Sequence, residues 1–209
     1  MYFYLVKIVI ADYGMGNIHS VARKMKLLGF TYEISSKAAD ILSADRIILP
    51  GVGHFGKAME NLKKQNLIDA LNEAVLVKKI PILGICLGMQ LMARKSKEGE
   101  SEGLGWFDAE VLPFQVSDTF NYKVPHTGWN SIKKQKESPI NLNLSENESF
   151  YFVHSFHFQC NEKNDVLHTT CYDYEFTSAV QKDNILGVQY HPEKSHEAGL
   201  TLLRNFIVG

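Results

Sequence analysis

In the first half of the chain, short apolar runs alternate with stretches whose apolar residues recur every three or four positions. This alternation is the strongest constraint on the fold. Leu5–Ala11 (broken only by Lys7), Thr31–Ser35, Arg46–Leu49 and Pro81–Ile85 read as strands. Ile18, Val21, Ala22, Met25 and Leu28 mark a helix that Asn17 can cap and Gly29 stops. Leu62, Leu67, Ile68, Leu71 and Val75 mark helical structure over roughly 55–77, broken near Asn66. Apolar strands alternating with helices predict an α/β fold: a three-layer, doubly wound, mostly parallel sheet covered on both faces. From about Trp106 to Gln181 the pattern shifts to short alternating runs and turn residues, which predicts an antiparallel β insertion. The sheet then resumes at Ile185–Tyr190, and Ala198, Leu202, Leu203 and Phe206 give a closing helix. No repeat, low-complexity tract or linker interrupts the chain, so residues 1–209 read as one domain.

At 209 residues the chain is long enough for a core without disulfide staples. A formal net charge of −1 argues against nucleic-acid binding, which needs a concentrated basic footprint. The apolar N-terminal run lacks a basic leader and a cleavage site, and it is too short to span a bilayer. It reads as a first strand, and the expected location is the cytoplasm, with no membrane contact. The three cysteines form no C-x-x-C and suggest no disulfide framework. Each is therefore a small hydrophobe or a nucleophile.

Cys86 has the context of a nucleophile. Gly84-Ile-Cys86-Leu-Gly88 lies between a strand and a helix. In such an elbow the chain reverses sharply and leaves the central residue strained and exposed at the carboxyl edge of the sheet. The following helix N-terminus favours a thiolate, and the Leu87 amide can face an oxyanion. Cys160 and Cys171 lack that context and read as structural. A thiolate nucleophile needs a base. Of eight histidines, His191 ends a strand-like run, in His191-Pro192-Glu193, and strand ends in such a sheet share one edge. Glu193 can orient the imidazole, completing a triad. His154 and His157 form an H-x-x-H, but on one strand they point to opposite faces, so no metal is expected. The other histidines read as ordinary.

Gly51-Val-Gly53-His-Phe-Gly56 matches the dinucleotide pattern G-x-G-x-x-G, a weak signal when alone. Glu73 falls inside a helical pattern rather than at a second strand end, where a ribose-binding acid belongs. The Pro50-Gly51 turn instead suits a second oxyanion donor, and no cofactor is expected.

Taken together, these residues resemble the class I glutamine amidotransferases. The shared blocks are Asp12–Asn17, Pro50–Gly56, Gly84–Gln90, Pro125–Asn130, Tyr151–Ser155 and Gln189–Lys194. The resemblance implies that Cys86 attacks the side-chain amide of L-glutamine, that His191 moves the proton and that Glu193 orients it. It implies an oxyanion held by the Leu87 amide and by the loop at Val52 and Gly53. It sets Gly51, Gln90, His154, Ser155 and Phe156 against the substrate, and turns Gly128, Trp129 and Asn130 toward a partner. The blocks are closest to the branch whose ammonia passes to a (β/α)8-barrel cyclase subunit, as a heterodimer, in histidine biosynthesis. Thr127 stands where that branch usually has Met. Paralogues that feed a sugar-modifying amidotransferase in surface-polysaccharide or flagellin-glycan synthesis are the alternative. Two further readings compete with the family: an uncoupled cysteine hydrolase, active without a partner, and a non-enzymatic nucleotide-binding module.

Overall fold

A computed structural model describes residues 6–209. Strands and helices alternate as expected: β1 Ile8–Ala11, α1 Ile18–Leu27, β2 Tyr32–Ser35, α2 Ala38–Leu42, β3 Arg46–Gly51, α3 Phe55–Lys64, α4 Leu67–Asn72, β4 Ile82–Cys86 and α5 Leu87–Gln90. The second half holds β5 Lys95–Ser96, β6 Ser101–Glu102, β7 Ala109–Pro113, β8 His126–Ser131, β9 Lys133–Lys134, β10 Ser149–His154, β11 Phe156–Cys160, β12 Val166–Tyr172, β13 Tyr174–Lys182, β14 Ile185–Val188 and α6 His196–Val208. Leu5, at the head of the expected first strand, lies outside the described residues. No helix among the described residues is long and apolar enough to cross a membrane.

Strands β2-β1-β3-β4-β14 are parallel neighbours in that order. The side chains of β1, β3, β4 and β14 feed two cores, while β2 at the sheet edge keeps most of its residues exposed. Val9, Ala11, Ile47, Leu49 and Ile82 pack with Ile41, Phe55, Leu62, Leu67 and Leu71 of α2–α4. Ile8, Ile10, Ile48, Leu83 and Ile85 pack on the opposite face, with Ile18, Val21 and Met25 of α1 and Leu202, Leu203 and Phe206 of α6. Strand residues thus alternate between faces that are both dry, which is why the runs are apolar throughout. Each buried Ile or Leu contributes about 1.5–3 kcal/mol over leaving it exposed.

The antiparallel half is not a separate layer. β13 pairs with β14, and β11 and β7 follow, so the parallel sheet continues into antiparallel strands within one sheet. Among the described residues, β8 and β10 form a second, two-stranded sheet.

Local details refine the expectations. β3 runs two residues beyond Leu49, through Pro50 and Gly51. β1 pairs with β3 only as far as Ile48, so the missing Pro50 N–H breaks no ladder bond. Asn17 sits at the N-cap of α1, but its side chain makes no capping hydrogen bond; its backbone carbonyl accepts from Ser20 and Val21 instead. Gly29, at φ +80°, ends α1 as expected. The break near Asn66 is real: φ is 56°, a left-handed conformation that asparagine tolerates.

Candidate active site

The elbow has the expected form. Cys86 closes β4 with φ 55° and ψ −110°, a strained conformation for a residue with a side chain. Close packing around it explains the flanking glycines. A Cβ at Gly84 would lie 2.7 Å from the Gly88 carbonyl, and one at Gly88 would overlap the Leu49 carbonyl oxygen. The helix after Cys86 is only four residues long, so its macrodipole adds little, contrary to expectation. Leu87 begins that helix, and its N–H therefore has no partner within it.

Cys86 opens onto a cleft of about 380 Å³ lined also by Val52, Gly53, Leu87, Gln90, His154, Ser155 and Phe156, with Glu98 and Val153 completing the wall. Val52 is half-exposed there, and Gly53 has φ +110°. Gly51 does not line the cleft. It pairs with Cys86 in the sheet, and a Cβ there would lie 2.9 Å from the Gly88 nitrogen and collide with the Tyr13 hydroxyl.

Behind the sulfur, His191 Nδ1 lies 2.7 Å from Glu193 Oε1, and both side chains are buried. A carboxylate accepts, so Nδ1 carries a proton and Nε2 is the free position. Nε2 is buried and makes no hydrogen bond, though Cys86 is close enough to act on the proton affinity of the ring. Burial alone would lower the proton affinity of His191. The sulfur of Cys86 and the carboxylate of Glu193 outweigh it and raise the pKa to about 10. The turn carrying the imidazole is anchored to β10: His191 N donates to Tyr151 O at 2.9 Å, and Ser195 Oγ donates to His191 O at 2.6 Å while accepting from Tyr151 N at 3.0 Å.

The site thus combines a cysteine on a strained elbow, a buried His–Glu pair and a cleft lined by that cysteine, and the glutamine amidotransferase class-I family model matches residues 9–209. The chain is a class I glutamine amidotransferase. Over 200 residues this amidotransferase is 49% identical to "Imidazole glycerol phosphate synthase subunit HisH 2" of Methanococcus maripaludis, covering 96% of this chain and 98% of the relative. It is 44% identical to the Pseudomonas aeruginosa protein of the same name, again over 96% and 98%. A chain in the structure of PurLQS from Thermotoga maritima superimposes with a TM-score of 0.71 at 16% identity, covering 96% of each, a likeness of fold alone.

Several features of this amidotransferase's site were not legible as site residues. Gln189 is fully buried, and its Nε2 lies 3.6 Å from Cys86 Sγ. A glutamine inside the apolar run Ile185–Tyr190 was the signal. Gln90 gives one amide hydrogen to Phe156 O at 3.0 Å and the other to Gln189 Oε1 at 2.9 Å, which leaves its own carbonyl for the cleft. The Tyr13 hydroxyl is buried without a partner, and burial, with the Cys86 charge second, pushes its proton affinity up.

The histidines sort differently than expected. His154 ends β10 and His157 lies on β11, so they do not share a strand. Both pack on the Phe114 ring, at 5.1 and 4.8 Å. No group of three His, Cys, Asp or Glu among the described residues could hold a metal ion. His126 is buried between Phe152 and Tyr172 and bonded to His154 at 3.1 Å. Cys160 is half-buried, and burial raises its pKa to about 11. Cys171 is exposed rather than packed. Gly128, Trp129 and Asn130 lie on β8, outside the cleft; Trp129 is 49% exposed and stacks on His196 at 5.0 Å. Thr127 is exposed beside them.

Proposed function

We propose that this chain is the glutaminase subunit of an imidazole glycerol phosphate synthase, acting in the cytoplasm as a single amidotransferase domain. The observation that carries the mechanism is the buried His191–Glu193 pair, with its unpartnered Nε2 beside Cys86. The relatives described above, by their printed names, support the choice of partner.

In this reading His191 Nε2 holds the proton of the Cys86 thiol, and the thiolate attacks the amide carbon of glutamine. The carbonyl π electrons move to oxygen, and the oxyanion is held by the Leu87 amide and an amide of the Val52–Gly53 loop. His191 returns its proton to the nitrogen as the C–N bond breaks, releasing ammonia and leaving a thioester. Water, activated by His191, attacks the thioester; the C–S bond breaks, glutamate leaves and the thiolate reforms. Glu193 keeps Nδ1 protonated and the ring aimed throughout. Ammonia must travel sheltered from water, because ammonium has no lone pair for attack. Its receiver is a (β/α)8-barrel cyclase docked on the face that carries Gly128, Trp129 and Asn130.

The test uses a glutamine-derived diazoketone label and the cyclase. We expect stoichiometric modification of Cys86 in the complex, and glutamine-dependent formation of imidazole glycerol phosphate that Cys86→Ala abolishes while added ammonium salts still support it. Absence of labelling in the complex would sink the glutaminase reading. Labelling without transfer to the cyclase, but with transfer to a sugar-modifying enzyme, would reassign the partner.

A further inference from the structure

We propose that Gln189 is a positioning residue for the nucleophile: its side-chain N–H holds the Cys86 sulfur, and a hydrogen-bond chain dictates which way that amide points. The inference rests on Cys86 being the nucleophile.

The orientation of a buried glutamine amide follows from its network. The Phe156 carbonyl can only accept, so the Gln90 group 3.0 Å from it is the NH2. The second hydrogen of that NH2 points at Gln189 across 2.9 Å, so the atom it meets is Oε1. The NH2 of Gln189 therefore faces Cys86 Sγ at 3.6 Å. Turning the Gln189 amide over would set donor against donor at Gln90 and oxygen against a thiolate. The backbone is fixed as well, since Gln189 N donates to Ser178 O at 2.9 Å.

The Phe156 carbonyl is itself held from a second side. His154 Nδ1 lies 2.8 Å from it and must donate, so His154 Nε2 accepts from His126 Nδ1 at 3.1 Å. His126 Nε2 then faces the Asn130 amide at 3.4 Å. One acceptor thus sets every tautomer and amide orientation from β8 to the sulfur.

The chemical consequence is selective. A thiolate is a strong acceptor and a thioester sulfur a weak one, so the Gln189 N–H stabilises the attacking and departing sulfur more than the acylated one.

The experiment follows the pH dependence of Cys86 alkylation by iodoacetamide in the full chain. Gln189→Met keeps side-chain length but removes the donor, and should raise the midpoint by about one pH unit or more, the worth of a hydrogen bond to a charged group. Gln189→Glu sets an acceptor against the sulfur and should raise it further. In the wild-type protein, the Gln189 side-chain amide protons, followed by NMR, should titrate with the alkylation midpoint; this arm needs no variant to fold. Unchanged midpoints in the folded variants, or amide protons blind to the Cys86 titration, would overturn the proposal. Wild-type Cys86 that resists the glutamine-derived label would instead overturn the reading beneath it.

Discussion

Acid should unfold this protein earlier than its exposed carboxylates alone require. His154 and His168 are buried and neutral, and burial holds the proton affinity of each at about 3. His168 is satisfied in that state: Nδ1 lies 2.9 Å from the Tyr190 hydroxyl and Nε2 2.6 Å from Asn141 Oδ1. An unfolded imidazole titrates near 6.5, so as pH falls below that value the unfolded chain takes up protons that the folded chain refuses. At pH 5 each such histidine favours the unfolded state by about 2 kcal/mol, about 4 kcal/mol for the two. That is a large share of the ~5–15 kcal/mol that holds a typical domain together. His126, lowered to about 4 chiefly by burial, acts in the same direction. His191 has the opposite sign. Its contribution is complete below about 6.5 and is lost as pH rises through its folded value of about 10, so it shapes the alkaline limb. Urea unfolding followed by circular dichroism at intervals between pH 7 and pH 4 measures the effect. His154 and His168 together should contribute uptake of two protons on unfolding, about 2.7 kcal/mol per pH unit below pH 6, and His126 should steepen the slope further until the pH nears its folded value of about 4. His168→Gln, which cannot titrate, should remove one of the two protons. A stability at pH 5 within ~1 kcal/mol of that at pH 7 would refute the reasoning.

Ser195→Ala removes the hydroxyl that bridges His191 O and Tyr151 N, leaving buried backbone groups unpaired. Stability should fall by about 1–3 kcal/mol in urea melts, and kcat for glutamine hydrolysis should drop more than KM rises. Gly88→Ala drives a Cβ into the Leu49 backbone, which cannot yield as a side chain would. It should cost about 3 kcal/mol or more, and a melting temperature near wild type would contradict the packing argument for the elbow.

The parts of the fold and site that could be read in advance share one property: they are local. The apolar runs at Arg46–Leu49 and Pro81–Ile85 announce buried parallel strands because a strand dry on both faces has no room for polar residues. Gly84, Cys86 and Gly88 announce the elbow because the backbone reversal tolerates little else on either side of Cys86. His191 and Glu193 are two residues apart, so one turn brings them to 2.7 Å. Asn17 shows where local reading overreaches: a residue type suited to capping stands at the N-cap, yet the backbone carbonyl does the work and the side chain stays out.

The strand–helix order, the Cys86 elbow and the His191–Glu193 pair follow from the sequence, because each is encoded within a few neighbouring residues. That the antiparallel strands extend the main sheet through β13 and β14 is set by the three-dimensional fold, since strand pairing is settled between distant segments. The same fold set Gly51 behind the cleft and Gln189 against the sulfur, and it joined Gln90, Phe156, His154 and His126 into one chain. Hydrogen bonds of that kind depend on angles and on ångström-scale distances between residues far apart in sequence. No pattern of residue types along the chain carries that information.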